Sequence, residues 1–575
     1  MVDLKAKPFY LTDEDIAWVT DTLASLSEEE KLGQLFFDLS EDGPDEEYIR
    51  DRVAKAHMGG LRYMNRSPEE TKEHNRLYQK YSRVPLLICA NLEAGGNGGC
   101  LGGTRVGDPI KLAATGNPEY AYQQGLIGAV EGGAVGCRGT FSPVVDIPTN
   151  WQNSAVATRS FSDQAQTVID FAVANMKGIQ AAGLAATAKH FPGDGVDERD
   201  QHYSNSVNTL SKEQWDATFG RVYQAMIDAG VEMVMAGHIM QPAYQKYFNP
   251  GMTEQNVLPA SLCRELLTDL LRKQLGFNGL IVSDASHMVG MTSHMKRSEM
   301  LPTALNAGID MILYFNDVDE DLDYLRKALE NGTLTWQRID EALTRILGMK
   351  AHLGLHKDRY TDGDLSVVGC EAHRKVAAEV SDRGITLAKH TGENIFPITP
   401  DKYRKIMLMP VNTPASEFSR LTGNTCKSTQ VAEALRDRLN ALGFQAELFV
   451  SPLKNIGKLR SAYDYKSAIG EFTEKHDLVI TIADVPPMGV TQRLSWDTPK
   501  GGFEVPWYVN ELPVIFVSVC SPFHLADVPQ IKNLINCYDA QPNTLDALVQ
   551  KLTGRSPFLG KSPVDVFCGK IDTRK

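Results

Sequence analysis

The stretch Lys189-His190-Phe191-Pro192-Gly193-Asp194-Gly195, followed by Asp200-Gln201-His202, gathers a lysine, two imidazoles and two carboxylates just past a small apolar run, Gly183-Leu184-Ala185-Ala186-Thr187-Ala188. Such a run suits a tightly packed inner strand, while Pro192, Gly193 and Gly195 end regular structure and let the chain turn. The cluster therefore sits on a loop at a strand end. An unperturbed histidine titrates near pH 6.5, so His202 can give and take a proton at neutral pH; Asp200, two residues before it, can fix its tautomer and stabilise the imidazolium. On a loop such an Asp-x-His pair folds back on itself, turning one ring nitrogen to the carboxylate and freeing the other for substrate. Asp284 closes another apolar run, Gly279-Leu280-Ile281-Val282-Ser283, and is a second candidate for chemistry. The plainer readings are a solvated turn for Asp200 to His202 and a helix N-cap for Ser283-Asp284.

What must position these groups is legible as a pattern of short buried runs. Eight of them, at 35–37, 60–64, 86–90, 140–145, 185–189, 232–236, 280–283 and 311–314, alternate with helix-like segments such as 117–132, 164–182, 214–229 and 261–274. Eight strand–helix alternations with buried strands predict a (β/α)8 barrel closed by right-handed crossovers, with a doubly wound open sheet as the alternative. In such a barrel the loops after the strands form the active face, and here the runs end in polar groups: Asn91 and Glu93, Asp146, Lys189 and His190, His238, and Asp284. Helices over 319–331 and 336–352 follow. Then come strands at 405–409, 478–482 and 514–519, interleaved with helices at 430–442, 461–475 and 544–553, which predict a second α/β domain with a mainly parallel sheet. The expected division is a barrel domain over 1–355, a linker and connecting helix over 356–385, and the C-terminal domain over 386–575.

Bulk properties narrow the field. A chain of 575 residues needs more than one core, and 42% hydrophobic with 23% charged residues is ordinary for a globular protein. A formal net charge of -13 argues against nucleic acid and anionic membranes as partners, because phosphate binding needs concentrated Lys and Arg. The first residues lack the apolar core of a signal peptide, and no run approaches the roughly 18 apolar residues of a membrane span, so a cytoplasmic location is expected. Nine cysteines without zinc-ligand spacing suit reduced thiols.

An ionised aspartate at the mouth of a barrel strand is placed to attack an anomeric carbon, and a retaining glycosidase pairs such a nucleophile with an acid/base group across the bond. Here the chain resembles glycoside hydrolase family 3 and, within it, the β-N-acetylglucosaminidase branch. Lys189 to Gly195 is similar to that branch's Lys-His-Phe-Pro-Gly-His-Gly, Asp200 to His202 to its Asp-Ser-His, and 276–284 to its nucleophile strand; Ser142 to Asp146, Arg159-Ser160-Phe161 and Asn306 to Asp310 are further similar stretches. The resemblance spans about 20–355. It implies a retaining exo-β-glycosidase, most simply a β-N-acetylhexosaminidase, with Asp284 as nucleophile and His202, oriented by Asp200, as acid/base. It also implies that Lys189, His190, Arg159, Asn91, His238 and Asp146 form the sugar site, that the partner is a small carbohydrate, and that neither metal nor cofactor takes part.

Three departures stand out. Asn91 replaces the aspartate of the family's Asp-Gln-Glu-Gly-Gly, which leaves open a preferred sugar other than N-acetylglucosamine, because an amide donates as well as accepts. Asp194 replaces the second histidine, and Gln201 the serine. The glycine-rich 95–103 lacks the phosphate-loop pattern and is expected to be a flexible loop. A histidine in place of a carboxylate as acid/base also removes a negative charge from the path of the second nucleophile, leaving a β-glycoside phosphorylase open. A β-glucosidase-type relative is a further alternative. The rivals of another class are a metal-dependent hydrolase using His190, Asp194, His202, His238 and Asp284, and a sugar-binding barrel without chemistry. For the second domain, packing or homodimerisation is expected.

Overall fold

The computed structural model describes residues 2–40, 43, 45–360, 363–392, 394–411, 426–450, 469–485, 493–496 and 505–575. These divide into two compact units. One holds the chain up to Val106 together with Pro118–Arg374, the other Gly107–Asn117 and Lys375–Lys575.

The first unit is a barrel of eight parallel strands: β1 (Phe36–Ser40), β2 (Gly60–Tyr63), β3 (Leu87–Ala90), β4 (Gly139–Thr140), β5 (Thr187–Phe191), β6 (Met233–Ala236), β7 (Leu280–Ala285) and β8 (Met311–Leu313). They pair in the order β4-β3-β2-β1-β8-β7-β6-β5. Parallel bridges from Gly139 to Ala185 and from Val144 to Lys189 close the ring. The β4 strand is short because Pro143 has no N–H to give the ladder. On either side of it the seam is carried by Thr140 N–H to Ala185 O at 2.9 Å and Val145 N–H to Lys189 O at 2.8 Å. The strands are buried almost throughout, as parallel strands covered on both faces must be, and β7 becomes partly exposed only at Asp284 and Ala285.

Between the strands, helices run over Glu119–Ala134, Ala165–Ala181, Val318–Glu330 and Trp336–His352, where the apolar spacing predicts them. Two segments differ. The helix expected over 214–229 is split into Lys212–Trp215 and Arg221–Ala229 by a widened π turn at Asp216–Gly220. Glu265–Gln274 is also wound in i to i+5 bonds, as Leu275 N–H to Leu270 O shows.

The glycine-rich loop, expected to be flexible, is packed against its neighbours over much of its length. The buried Glu131 carboxylate accepts Thr104 N–H at 2.7 Å, Thr104 Oγ1 at 2.7 Å and Gly369 N–H at 3.1 Å, and meets His373 Nδ1 at 2.6 Å. A side chain at Gly98 would bring its Cβ within 1.7 Å of Asn91 O, so glycine here serves close approach.

The second unit is built on a six-stranded sheet of β9 (Thr386–His390), β10 (Lys405–Pro410), β11 (Gln445–Leu448), β12 (Leu478–Ala483), β13 (Val514–Ser518) and β14 (Asn533–Asn536). The order is β9-β14-β13-β12-β10-β11, with β9 antiparallel and the rest parallel. Three of these strands, β9, β11 and β14, carry polar residues at their ends or along one face and so show no apolar run. The unit's α-helices include most of Glu371–Gly384, then Ser428–Asn440, Ile469–Lys475 and Pro542–Leu552; of the helix expected over 461–475, residues 461–468 lie outside the described residues. Gly107–Asn117 joins this unit through Lys111, whose buried Nζ meets Asp539 at 2.9 Å, Ser381 Oγ at 2.9 Å and Thr544 Oγ1 at 2.7 Å. Among the described residues no helix is long and apolar enough to cross a membrane.

Candidate active site

The barrel brings most of the singled-out residues to the carboxyl ends of its strands. Asp284 is the last residue but one of β7, with its side chain 14% exposed. Burial pushes its pKa up, but His190, His238 and His202, with the Ala285 N–H, outweigh this and hold it at about 2. The site thus keeps an ionised carboxylate in a largely enclosed place. His190 Nε2 lies 3.9 Å from Asp284 Oδ2.

Asp200 and His202 stand on the turn after β5. Asp200 Oδ1 accepts the His202 backbone N–H at 2.9 Å and lies 2.6 Å from His202 Nδ1, so the Asp-x-His pair folds back on itself. Burial lowers the His202 pKa, and the Asp200 hydrogen bond and charge more than reverse it, leaving it above the ordinary value. Asp200 is pushed up by burial and drawn down further by His202, to a net depression. Among the described residues His202 Nε2 makes no hydrogen bond to protein. The turn is fastened to the residues following β7 by Val289 N–H to His202 O at 3.3 Å and Gly290 N–H to Gln201 O at 3.0 Å.

The loop between them is set by local packing. Gly193 has φ +120°, and a Cβ there would meet the Phe219 ring at 2.1 Å. Trp215 Nε1 donates to Pro192 O at 2.8 Å, and Ser206–Val207 pairs with Ile239–Met240 beyond β6.

Lys189 and Arg159 converge on one carboxylate, Glu93. Lys189 Nζ is 2.6 Å from Glu93 Oε1, and Arg159 donates from Nε and Nη2, both at 2.9 Å. Burial opposes ionisation of Glu93, but the two cations hold its pKa well below the usual carboxylate range. Burial lowers the Lys189 pKa, with Glu93 resisting. Glu93 is visible in the sequence only as a polar group after β3; the cue to its role is that two cations of the cluster would otherwise face each other without a counter-charge.

Two residues expected to hold sugar are engaged inside the protein. Asp146 is fully buried and accepts His190 N–H at 3.1 Å and Asp194 N–H at 2.7 Å, with His190 Nδ1 at 2.7 Å, so it holds His190. His238, also fully buried, has Nδ1 at 2.8 Å from Ser261 Oγ and Nε2 at 3.0 Å from Ala285 O. Burial lowers its pKa to about 4, so it is a neutral ring that donates to the strand end carrying Asp284. Asn91 is exposed directly after β3. Asp194 is buried, and burial together with the neighbouring Asp146 raises its pKa. Among the described residues no group of three or more His, Cys, Asp or Glu is arranged to hold a metal ion.

Residues 27–349 match the family model for the glycosyl hydrolase family 3 N terminal domain. The chain is 41% identical, over the full length of both proteins, to a β-N-acetylglucosaminidase/β-glucosidase of Cellulomonas fimi. Its structure is similar to that of the β-glucoside phosphorylase BglX, with a TM-score of 0.90, 36% identity and 99% of each chain covered. A family 3 β-N-acetylglucosaminidase from Paenibacillus sp. str. FPU-7 shares the fold at a TM-score of 0.75 and 23% identity, over 95% of this chain and all of that one. With a catalytic-type barrel, a carboxylate held ionised at its mouth and these relatives, the chain belongs to glycosyl hydrolase family 3 and is a glycosidase.

Proposed function

We propose that this protein is a retaining exo-β-glycosidase acting on β-glucosides and β-N-acetylglucosaminides through a covalent glycosyl-aspartate. Asp284, ionised at neutral pH, attacks the anomeric carbon. Protonated His202 delivers its Nε2 proton to the glycosidic oxygen, and the aglycone leaves as the alcohol. In the second step neutral His202 takes a proton from the incoming water as its oxygen bonds to the anomeric carbon, and the bond to Asp284 breaks. Asp200 holds the ring and stabilises the imidazolium in the first step. Lys189 and Arg159 supply donors for sugar hydroxyls, His190 turns Nε2 to the same place, and Glu93 is the counter-charge of the two cations.

The observation that carries this is the 2.6 Å contact between Asp200 and His202 Nδ1 on a turn tied by its backbone to the residues after Asp284. The choice of sugars is supported by the printed activity of the Cellulomonas fimi relative. A second acceptor, inorganic phosphate, is favoured by the similarity to a β-glucoside phosphorylase over nearly the whole chain. It also suits an acid/base that is uncharged when the acceptor arrives, since no fixed anion then repels phosphate.

The test is to incubate the protein with 4-nitrophenyl β-D-glucoside and β-N-acetylglucosaminide, with and without phosphate, and to identify the sugar product. Free sugar supports hydrolysis, and sugar 1-phosphate supports phosphorolysis. Cleavage of neither substrate contradicts the proposal.

A further inference from the structure

Asp194 and Gln201 are the two positions in the cluster that depart together from the family pattern, and in the structure they are partners. Asp194 is 1% exposed; its Oδ1 accepts Asn153 Nδ2 at 2.9 Å and Gly195 N–H at 2.6 Å, and its Oδ2 accepts Gln201 Nε2 at 3.4 Å. Gln201, equally buried, turns its other end to the next strand, where Oε1 accepts the His238 backbone N–H at 2.6 Å. His238 in turn reaches Ala285 O, one residue beyond Asp284. A chain of hydrogen bonds therefore runs from the loop after β5, through the residue between Asp200 and His202, to the end of β7.

We propose that Asp194 and Gln201 form a clamp that positions the His202 turn, so that proton delivery and nucleophile share one rigid frame. This rests on the reading of His202 as acid/base. The physical need is specific. His202 is 45% exposed on its side chain, so the turn is not packed in place by the imidazole itself. Beside the backbone bonds from Val289 and Gly290, the buried side chain between the two members of the pair is a further anchor. Serine at 201 is two heavy atoms shorter than glutamine and cannot bridge from Asp194 to the His238 N–H. The donor–acceptor sense is also fixed: the glutamine must donate towards the carboxylate and accept from the backbone, which an amide does and a carboxylate at 201 facing Asp194 does not.

The two residues act through His202, so the readout is dependence on the leaving group. A phenyl leaving group needs the proton; 2,4-dinitrophenolate leaves without it. Gln201→Ser is expected to lower kcat/KM for phenyl β-D-glucoside by about tenfold or more, and for 2,4-dinitrophenyl β-D-glucoside by less than about twofold. Gln201→Glu sets two carboxylates against each other and loses more. Combining it with Asp194→Asn exchanges donor and acceptor across the contact, and is expected to restore the phenyl glucoside to within about threefold of the parent protein. Equal losses on both glucosides, no loss in Gln201→Ser, or a double variant no better than Gln201→Glu would overturn the clamp. Should Gln201→Ser fail to fold, the double variant decides alone. If the parent protein cleaves only β-N-acetylglucosaminides, the same comparison is made on the phenyl and 2,4-dinitrophenyl β-N-acetylglucosaminides; a parent protein that cleaves no glycoside of either sugar would instead overturn the acid/base reading, and the clamp with it.

Discussion

His190 Nδ1 lies 2.7 Å from Asp146 Oδ2, and Asp146 also accepts the His190 and Asp194 backbone N–H groups while being wholly enclosed. The carboxylate thus fixes both the ring and the backbone of the residue whose Nε2 faces Asp284 at 3.9 Å. Nδ1 must be the protonated nitrogen towards Asp146, so Nε2 is left to the site.

Asp146→Asn keeps the size but offers one good acceptor where three donors converge. Loss of a hydrogen bond to a charged group costs about 2 kcal/mol, so kcat/KM for 4-nitrophenyl β-D-glucoside should fall on the order of thirtyfold. Steady-state kinetics, with a thermal melt to exclude unfolding, checks this. Unchanged kinetics would mean that His190 needs no such holder.

The pH profile follows from two opposite shifts. Asp284 stays ionised down to about pH 2, so it imposes no acid limb on kcat/KM in the range where the protein is assayed. His202 must be protonated to act as acid, and its pKa lies above the ordinary value because of Asp200. Activity is therefore expected to fall as pH rises through that raised pKa, and Asp200→Asn should move this alkaline limb downward as well as lower the plateau. A limb that stays in place in the variant would assign it to another group.

Glu93→Gln tests the counter-charge. Without the carboxylate, buried Lys189 and partly exposed Arg159 face each other; breaking a fully buried pair costs about 3–5 kcal/mol, and the 31% exposure of Arg159 reduces this towards about 2–3 kcal/mol. Urea denaturation should show a loss of that order, accompanied by a raised KM. A variant as stable as the parent would mean that solvent or another anion already screens the two cations.

The barrel, and the gathering of the candidate groups at its strand ends, are legible because both rest on local signals. Eight buried runs need only burial and spacing to be recognised, and Asp284 or the Asp200–His202 pair need only a polar group at a run's end. What escaped depends on partners distant in sequence. Glu93 is unremarkable until Lys189 and Arg159 arrive from 96 and 66 residues away, as the separations in the chain require. For Asp146 and His238 the sequence gives the position at a strand end but not the enclosure that the fold imposes. The glycine-rich loop read as flexible because glycine's conformational freedom is visible in sequence, whereas the Glu131 carboxylate and the Asn91 carbonyl that it packs against are not. Gly107–Asn117 shows the same limit: it follows a barrel strand in the chain, yet the buried Lys111 ties it to Asp539.

The central claim is a covalent bond between Asp284 and the sugar. Incubation with 2,4-dinitrophenyl 2-deoxy-2-fluoro-β-D-glucoside slows both steps but leaves an activated leaving group, so the intermediate accumulates. Intact mass spectrometry should show one fluoroglucosyl adduct, and peptide mapping should place it on Asp284. An adduct on a different residue, or an active protein that gains none while Asp284→Ala retains full activity, would contradict the account.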